Sequence, residues 1–279
     1  MLTRARAIQE PALPGDKGCK LINETRLYYE VKGEGQPLVF IHGFTLDNRM
    51  WDNQFHYFSK QFRCIRFDLR GFGQSALPGK EPYSYQEDIK SLLQSLDITD
   101  PVILVGHSIG GQAALNFTLR YPHYTKALVL ADAQIEGYEF QNFSTEQICR
   151  QAKSKTIEFA RRKWLNHEIF ASAKKNKAVA ECIDQMILRY SGWHFVSDNP
   201  LVPFNPSPWN IMDQIKVPTL IMHGESDLPD FKEMSDVAAS KITNAKQTVI
   251  PLAGHFSNME NPVAFNKALK TFLETATAD

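Results

Sequence analysis

Residues 101–111, with the sequence PVILVGHSIGG, place a serine between two glycines directly after an apolar run. The run is uninterrupted and rich in β-branched residues, which predicts a strand buried on both faces. Residues 111–121 are rich in Ala, Leu and Gln and are followed by a proline, which predicts a helix. A serine on a sharp turn from strand to helix is typical of a nucleophile elbow. We therefore expect Ser108 to be a nucleophile held above the sheet edge.

The two glycines around Ser108 have a steric explanation. The elbow forces the serine backbone into a strained conformation, so we expect side chains at Gly106 or Gly110 to collide with the neighbouring strand and helix. A G-x-S-x-G pattern alone is weak, because three common residues form it by chance in many proteins. The predicted strand before it and the predicted helix after it make it informative.

The composition limits the classes of protein to which the chain can belong. It has 279 residues, of which 43% are hydrophobic, with 31 basic and 31 acidic side chains. This balance is typical of a soluble globular protein and carries no electrostatic footprint for nucleic acid or an anionic membrane. The N-terminus has no apolar stretch long enough for a signal peptide, and no segment approaches the ~20 residues of a membrane span. We expect a cytoplasmic protein with no nucleic-acid or membrane partner, and the sequence leaves its oligomeric state open.

The cysteines and histidines predict neither a metal site nor a disulfide framework. The cysteines are far apart and form no C-x-x-C pair, standing at Cys19, Cys64, Cys149 and Cys182. The histidines likewise lack the short spacing of a metal cluster. We therefore expect reduced thiols and no metal or organic cofactor.

Short apolar runs alternate with amphipathic segments in two parts of the chain, which indicates strand–helix–strand units around a mostly parallel sheet. The predicted strands are a hairpin at 21–31, with its turn at Asn23-Glu24, and runs at 37–41, 62–67, 101–105, 127–130, 219–222 and 247–250. The predicted helices cover 50–60, 84–96, 111–121, 231–240 and 262–273.

Between Asp132 and Val217 the alternation stops and helical, aromatic sequence intervenes. We interpret this segment as a helical cap, because it is too apolar to be a disordered linker. The predicted division is an N-terminal extension at 1–20, a core at 21–133 and 214–279, and a cap at 134–213. Most aromatic side chains of the cap should form the core of the cap itself, while the others cover a pocket over Ser108. The predicted substrate-binding residues are Trp164, Trp193 and, after the last strand, Phe256.

A serine hydroxyl is a poor nucleophile at neutral pH and needs a base within hydrogen-bond reach. His255 is the best candidate, because it follows the last predicted strand at the sheet edge where the elbow opens. We expect its pKa to be near ~6.5, with an upward shift if a carboxylate lies beside it. The other histidines are expected to be structural, and His107 is expected to point away from the site because of the turn.

The base needs an acid that orients it, and the chain order Ser, Asp or Glu, His puts this acid before the histidine. Asp227 is favoured, because it follows the penultimate predicted strand at the same sheet edge. Glu225 is a competitor that lies closer to the strand end, where we expect it only to brace the loop. Asp132, after the preceding strand, is the reserve candidate.

Attack on a carbonyl creates an oxyanion, and one aimed backbone N–H group stabilises it by roughly 3 to 4 kcal/mol. The sequence predicts two such donors. One is the amide of Ile109 at the start of the helix after the elbow, where the helix dipole also contributes. The other is the amide of Phe44, on the loop after the predicted strand at 37–41.

Four motifs, in this order, resemble those of the α/β-hydrolases, over a match from about Lys20 to Leu273. The motifs are His42-Gly43-Phe44, residues 68–75 (DLRGFGQS), residues 106–111 (GHSIGG), and residues 224–227 followed by Gly254-His255. The chain is most similar to capped serine esterases and lactonases, including carboxylesterases and members like 3-oxoadipate enol-lactonase. The resemblance implies an α/β fold with an eight-stranded, mostly parallel sheet, an antiparallel second strand, flanking helices and a helical lid. It also implies that Asp68 and Arg70 brace loops near the site.

The resemblance also narrows the chemistry, and we expect hydrolysis of a small-molecule ester or lactone through an acyl-enzyme intermediate. The aromatic composition of the cap predicts an apolar moiety in the substrate. Related dehalogenases and epoxide hydrolases carry a carboxylate at the elbow, so Ser108 argues against both. Carbon–carbon bond hydrolases usually have asparagine where this chain has His107. A carbon–carbon bond or thioester hydrolase with the same triad is the alternative enzyme. A non-catalytic small-molecule receptor on the same scaffold is the alternative outside enzymes.

Overall fold

The computed structural model describes residues 15–276, so most of the predicted N-terminal extension lies outside the described residues. Eight strands form a single sheet: β1 (Lys17–Ile22), β2 (Thr25–Lys32), β3 (Pro37–Ile41), β4 (Arg63–Phe67), β5 (Val102–His107), β6 (Thr125–Ala131), β7 (Thr219–Gly224) and β8 (Ala245–Ile250). Their order is β1-β2-β4-β3-β5-β6-β7-β8. Strand β2 is antiparallel to both of its neighbours, and β3 to β8 are parallel. The predicted fold class and the antiparallel second strand are confirmed.

Every residue of β3, β5 and β7 is buried. The cause is the near-continuous apolar sequence of these strands, which suits a parallel sheet covered by helices on both faces. The carboxyl ends of the parallel strands all open at one edge of the sheet. The loops after β3, β5, β7 and β8 therefore meet there.

The N-terminal hairpin begins earlier than predicted. Residues 17–20 were expected in the extension, but they form most of β1 and pair with residues 27–30 of β2. Backbone hydrogen bonding to β2 holds this segment, although its side chains are mostly exposed and give little apolar pattern. Its turn is at the predicted position, with positive φ angles of 44° at Asn23 and 63° at Glu24.

Within residues 15–276, eleven α-helices accompany the sheet: α1 (Asp52–Phe58), α2 (Tyr85–Ser95), α3 (Ile109–Arg120), α4 (Glu146–Ser154), α5 (Ile157–Leu165), α6 (Lys177–Arg189), α7 (Trp193–Val196), α8 (Pro208–Ile211), α9 (Pro229–Lys241), α10 (Ser257–Glu260) and α11 (Pro262–Ala276). The helix predicted at 50–60 is shorter, because a 3₁₀ turn at Asn48–Trp51 precedes it, with the Asp47 side chain accepting from the Arg49 amide. Helices α4 to α8 all lie between β6 and β7. No helix within residues 15–276 is long and apolar enough to cross a membrane.

Candidate active site

Ser108 lies on the turn between β5 and α3, and its backbone is strained, with φ 52° and ψ −120°. A side chain at either flanking glycine would collide with its surroundings, as predicted. A Cβ atom at Gly106 would lie 2.2 Å from the carbonyl oxygen of Gly110, and one at Gly110 would lie 2.3 Å from that of Ile41. Both contacts are with backbone, which cannot swing away. Only glycine fits at these two positions, so β5 can turn sharply into α3 and present Ser108 at the sheet edge.

His255 and Asp227 form a hydrogen-bonded pair between the loops after β8 and β7. The Nδ1 atom of His255 lies 3.0 Å from Oδ1 and 3.2 Å from Oδ2 of Asp227. Because a carboxylate only accepts, Nδ1 carries the proton and the lone pair is on Nε2. Both residues are buried, with exposed fractions of 3% for His255 and 6% for Asp227. The pair therefore fixes the tautomer that a general base requires.

Burial determines the protonation of this pair. It lowers the pKa of His255 to about 3, whereas the sequence predicted a value near 6.5 or higher. The reason is that the ring is enclosed, with the ring centroid of Phe231 4.2 Å away, so the imidazolium form loses its hydration. Burial also raises the pKa of the Asp227 carboxyl, opposed by a hydrogen bond of 2.7 Å from the Leu228 amide. His255 is thus neutral at neutral pH, which is the form that accepts a proton.

Ser108 and His255 line the same cavity, which has a volume of about 570 Å³. Among the hydrogen bonds of residues 15–276, none joins the hydroxyl of Ser108 to His255. Catalytic hydrogen bonds in unliganded enzymes are often long and tighten only when substrate binds. The two side chains therefore share one cavity, with the Asp227 carboxylate behind the histidine.

Within residues 15–276, neither of the two other candidate acids hydrogen-bonds to His255, although Asp132 lies beside Asp227. Asp132 is fully buried and accepts hydrogen bonds from the Gly224 amide at 2.8 Å and from the Ser257 hydroxyl at 2.5 Å. Glu225 accepts from the amide of Leu252 at 3.2 Å, so it braces the loop as expected. The acid that contacts the predicted base is Asp227.

The two predicted amide donors both belong to residues that line the cavity. Ile109 is the first residue of α3, so its N–H group has no acceptor within the helix. Phe44 follows β3, and its N–H group donates to no acceptor within the part of the chain described, residues 15–276. Two free donors beside Ser108 are what an oxyanion site requires.

His107 differs from its predicted position, because it lines the cavity instead of pointing away from it. Its Nε2 atom lies 2.7 Å from the carbonyl oxygen of His255 and donates to it, since a carbonyl only accepts. Its Nδ1 atom is buried and has no partner in residues 15–276. Burial lowers the pKa of His107 well below its usual value, so the ring is neutral. The turn does direct the ring sideways, but the loop that carries His255 folds back to meet it.

The apolar wall of the cavity contains two of the three predicted substrate-binding residues. It consists of Phe44, Phe140, Phe143, Trp164, Ile169 and Phe256. The indole N–H of Trp164 donates to the Thr45 hydroxyl at 2.8 Å, which fixes the ring beside the loop after β3. Phe256 stacks on Phe170 with ring centroids 5.2 Å apart.

Trp193 is not among the residues that line this cavity, contrary to its predicted place over Ser108. It lines a separate surface groove with Pro78 and Lys80. Helix α7 turns its next two side chains inward, so that His194 stacks on Phe72 at 4.4 Å and Phe195 is buried. Successive helical residues point in different directions, which leaves Trp193 facing away from Ser108.

Several residues of the cavity were missed by sequence reasoning. Its polar side chains are Gln134, Ser144, Thr145 and Glu146, of which the last three surround the start of α4. No motif or periodicity marks them, since the first three lie on irregular chain between β6 and α4 and Glu146 is the first residue of α4. Only the folding of this segment over the sheet edge brings them near Ser108.

The loops around the site are held by the residues that the resemblance assigned to bracing. Asp68 accepts from the amides of Asn48 and Gln74, both at 2.8 Å. Arg70 forms a buried ion pair with Asp88 at 2.7 Å. Within residues 15–276, no group of three or more His, Cys, Asp or Glu side chains is arranged to hold a metal ion.

The fold and this site together define an alpha/beta hydrolase. The chain belongs to the alpha/beta hydrolase fold family, whose profile matches residues 36–262. It is 25% identical to the (E)-2-((N-methylformamido)methylene)succinate hydrolase of Acinetobacter baylyi, over 93% of this chain and 98% of that protein.

Two solved structures are similar over nearly their whole length. A thermophilic esterase from Thermogutta terrifontis has a TM-score of 0.80 and 25% identity, covering 94% of this chain and 99% of that one. Est816, described as an N-acyl homoserine lactone degrading enzyme, has a TM-score of 0.75 and 26% identity, covering 91% and 100%. The chain is thus a hydrolase of the alpha/beta hydrolase superfamily, and its structural neighbours include an esterase and a lactone-degrading enzyme.

Proposed function

We propose that this protein hydrolyses a carboxylic ester or lactone through an acyl-enzyme. Ser108 attacks the acyl carbon, while His255 takes the hydroxyl proton and returns it to the leaving alkoxide. Asp227 orients His255 and stabilises the imidazolium that forms. The amides of Phe44 and Ile109 hold the oxyanion. Water then attacks the acyl-enzyme by the same sequence of proton transfers, which releases the acid.

One observation carries this proposal. His255, which is hydrogen-bonded to Asp227, lines the same cavity as Ser108. The backbone of Ser108 is strained at the turn that carries it to this cavity. A neutral histidine whose Nδ1 proton is held by a carboxylate presents Nε2 as a proton acceptor in the cavity that contains Ser108. The esterase and the lactone-degrading enzyme among the similar structures support an ester or lactone as the bond that is cleaved.

The walls of the cavity support a substrate with an apolar moiety. Aromatic and aliphatic side chains from the predicted cap, residues 134–213, face Ser108 across the cavity. Burying such a moiety contributes about 25 cal/mol per Å² of apolar surface removed from water. The cap then acts as a lid that excludes water from the acyl-enzyme until the alcohol leaves.

Hydrolysis of 4-nitrophenyl hexanoate, measured together with labelling by a fluorophosphonate, tests the proposal. We expect turnover by the wild type and stoichiometric labelling of Ser108, and both are lost in Ser108→Ala. Tight binding of the ester with negligible hydrolysis and no labelling would instead favour a receptor. Ser108 could instead be labelled while a thioester or carbon–carbon substrate turns over far faster than every ester. That result would assign the same triad to thioester or carbon–carbon bond hydrolysis.

A further inference from the structure

The cavity that contains Ser108 is lined by few charged side chains. Among its lining residues in the described part of the chain, none is Lys or Arg. Its two histidines, His107 and His255, have pKa values lowered by burial and are therefore neutral at neutral pH. The remaining ionisable side chain is that of Glu146, which is exposed at the start of α4. At neutral pH the cavity thus presents one negative charge at its mouth and no positive charge.

A substrate carboxylate inside this cavity would lose its hydration without gaining a cation. Apart from the amides of Phe44 and Ile109, which hold the oxyanion in the proposed reaction, the partners are the neutral amide of Gln134 and the hydroxyls of Ser144 and Thr145. These groups serve an uncharged oxygen equally well. The hydroxyl of Ser144 already accepts from the Glu146 amide at 3.2 Å, so this donor at the start of α4 is occupied. An unpaired buried carboxylate is far more costly than a hydrogen-bonded neutral group.

We infer that the enzyme selects uncharged acyl groups and rejects acyl chains that end in a carboxylate, and that Glu146 is a specificity-determining residue for this selection. The inference rests on the proposed function, because it names the substrate class of that same site. Two effects both disfavour a substrate that carries a carboxylate. The missing cation penalises the anion inside the cavity, and the carboxylate of Glu146 repels it at the mouth.

Three 4-nitrophenyl esters with acyl chains of nearly equal shape isolate the charge. Their ends are a carboxylate (hydrogen adipate), a primary amide (adipamate) and an isopropyl group (6-methylheptanoate). We expect kcat/KM for the adipate to be at least ~100-fold below that for the adipamate, since these two differ chiefly in charge. The 6-methylheptanoate should be the best of the three, because its end is apolar.

The variant Glu146→Gln keeps the size of the side chain and removes its charge. We expect it to raise the ratio of kcat/KM for the adipate to that for the adipamate by about 3- to 10-fold, with the gain shrinking as salt is added. Glu139→Gln is the matched control, because Glu139 is exposed in the same part of the chain but does not line the cavity. It should change neither rate more than twofold. The rate of labelling by a neutral fluorophosphonate verifies that each variant has an intact site.

The outcomes separate this inference from the proposed function. Equal kcat/KM for adipate and adipamate in the wild type, with Ser108 labelled normally, would overturn the inference and leave the ester hydrolase intact. Strong discrimination that Glu146→Gln does not change would overturn the role of Glu146. No turnover of any ester and no labelling of Ser108 would overturn the proposed function and the inference together.

Discussion

His107 Nε2 donates a hydrogen bond of 2.7 Å to the backbone carbonyl oxygen of His255. The residue before the predicted nucleophile therefore ties β5 to the loop that carries the predicted base. The ring of His107 also stacks on Phe256 with centroids 5.6 Å apart, which holds the residue after the base. His107 is thus a positioning residue, since it acts on the reaction through His255.

Replacing His107 should chiefly misplace the base, although His107 also lines the cavity. We expect His107→Leu to lower kcat by about 10- to 100-fold with a smaller change in KM, because a hydrogen bond is lost and a buried carbonyl is left unpaired. His107→Gln offers an N–H group at a similar reach and should recover much of the loss. Steady-state kinetics of both variants checks this, and equal loss in both would contradict a role based on the hydrogen bond.

Asp227 and Asp132 should respond differently to conversion to asparagine. Asp227→Asn cannot hold the Nδ1 proton of His255 and is expected to lower kcat by about 10³- to 10⁴-fold. Asp132→Asn should keep most of the activity per folded molecule, because Asp132 bonds to Gly224 and Ser257 instead of His255. It should lose about 1 to 3 kcal/mol of unfolding free energy through imperfect replacement of those bonds. Kinetics and urea unfolding of both variants measure this, and the reverse order of activities would move the catalytic acid to Asp132.

Replacing each of the two tryptophans predicted to bind substrate should have different effects on activity. Trp164→Ala removes a wall of the cavity and should lower kcat/KM for 4-nitrophenyl hexanoate by about 10- to 100-fold. Trp193→Ala should stay within about twofold of wild type, because Trp193 lines the other groove. Rates are taken per fluorophosphonate-labelled site, and Trp164→Phe, which retains a ring against Phe44, serves if the alanine variant does not fold. A loss confined to Trp193→Ala would contradict the assigned walls.

Buried histidines should make the fold sensitive to mild acid. Burial lowers the pKa of His194 to about 4 and that of His255 to about 3, while both titrate near about 6.5 in the unfolded chain. Below pH ~6.5 these two histidines bind more protons in the unfolded state, so their contribution to the free energy of unfolding falls as the pH falls toward 4. The raised pKa of Asp227 acts in the opposite direction over the same range. His194 alone can account for a loss of up to about 3 kcal/mol over this range.

Urea unfolding at several pH values from 7.5 to about 4.5 measures this dependence. His194→Phe keeps a ring stacked on Phe72. It should lower the number of protons taken up on unfolding by about one, which makes the free energy of unfolding depend less steeply on pH. The same pH dependence in the wild type and in His194→Phe would contradict a neutral, buried His194.

The sheet and the elbow could be predicted from sequence because their signals are local. An apolar run between proline and glycine predicts a buried strand wherever it occurs, and the strained turn at Ser108 requires its two glycines for reasons contained within a few residues. The position of His255 follows from strand order, because the carboxyl ends of parallel strands share one edge. Element ends shifted by a few residues, as at β1, where backbone pairing rather than side-chain pattern sets the boundary.

The alternation of apolar runs and the residues of the elbow thus determined the class of fold and the edge where chemistry can occur. Tertiary structure alone decided which carboxylate contacts His255, that His107 faces the cavity, and that Trp164 lines it while Trp193 does not. The physical reason is that these choices depend on how irregular segments far apart in the chain pack against each other. Periodicity carries no information about that packing, since it records only which face of each element is apolar.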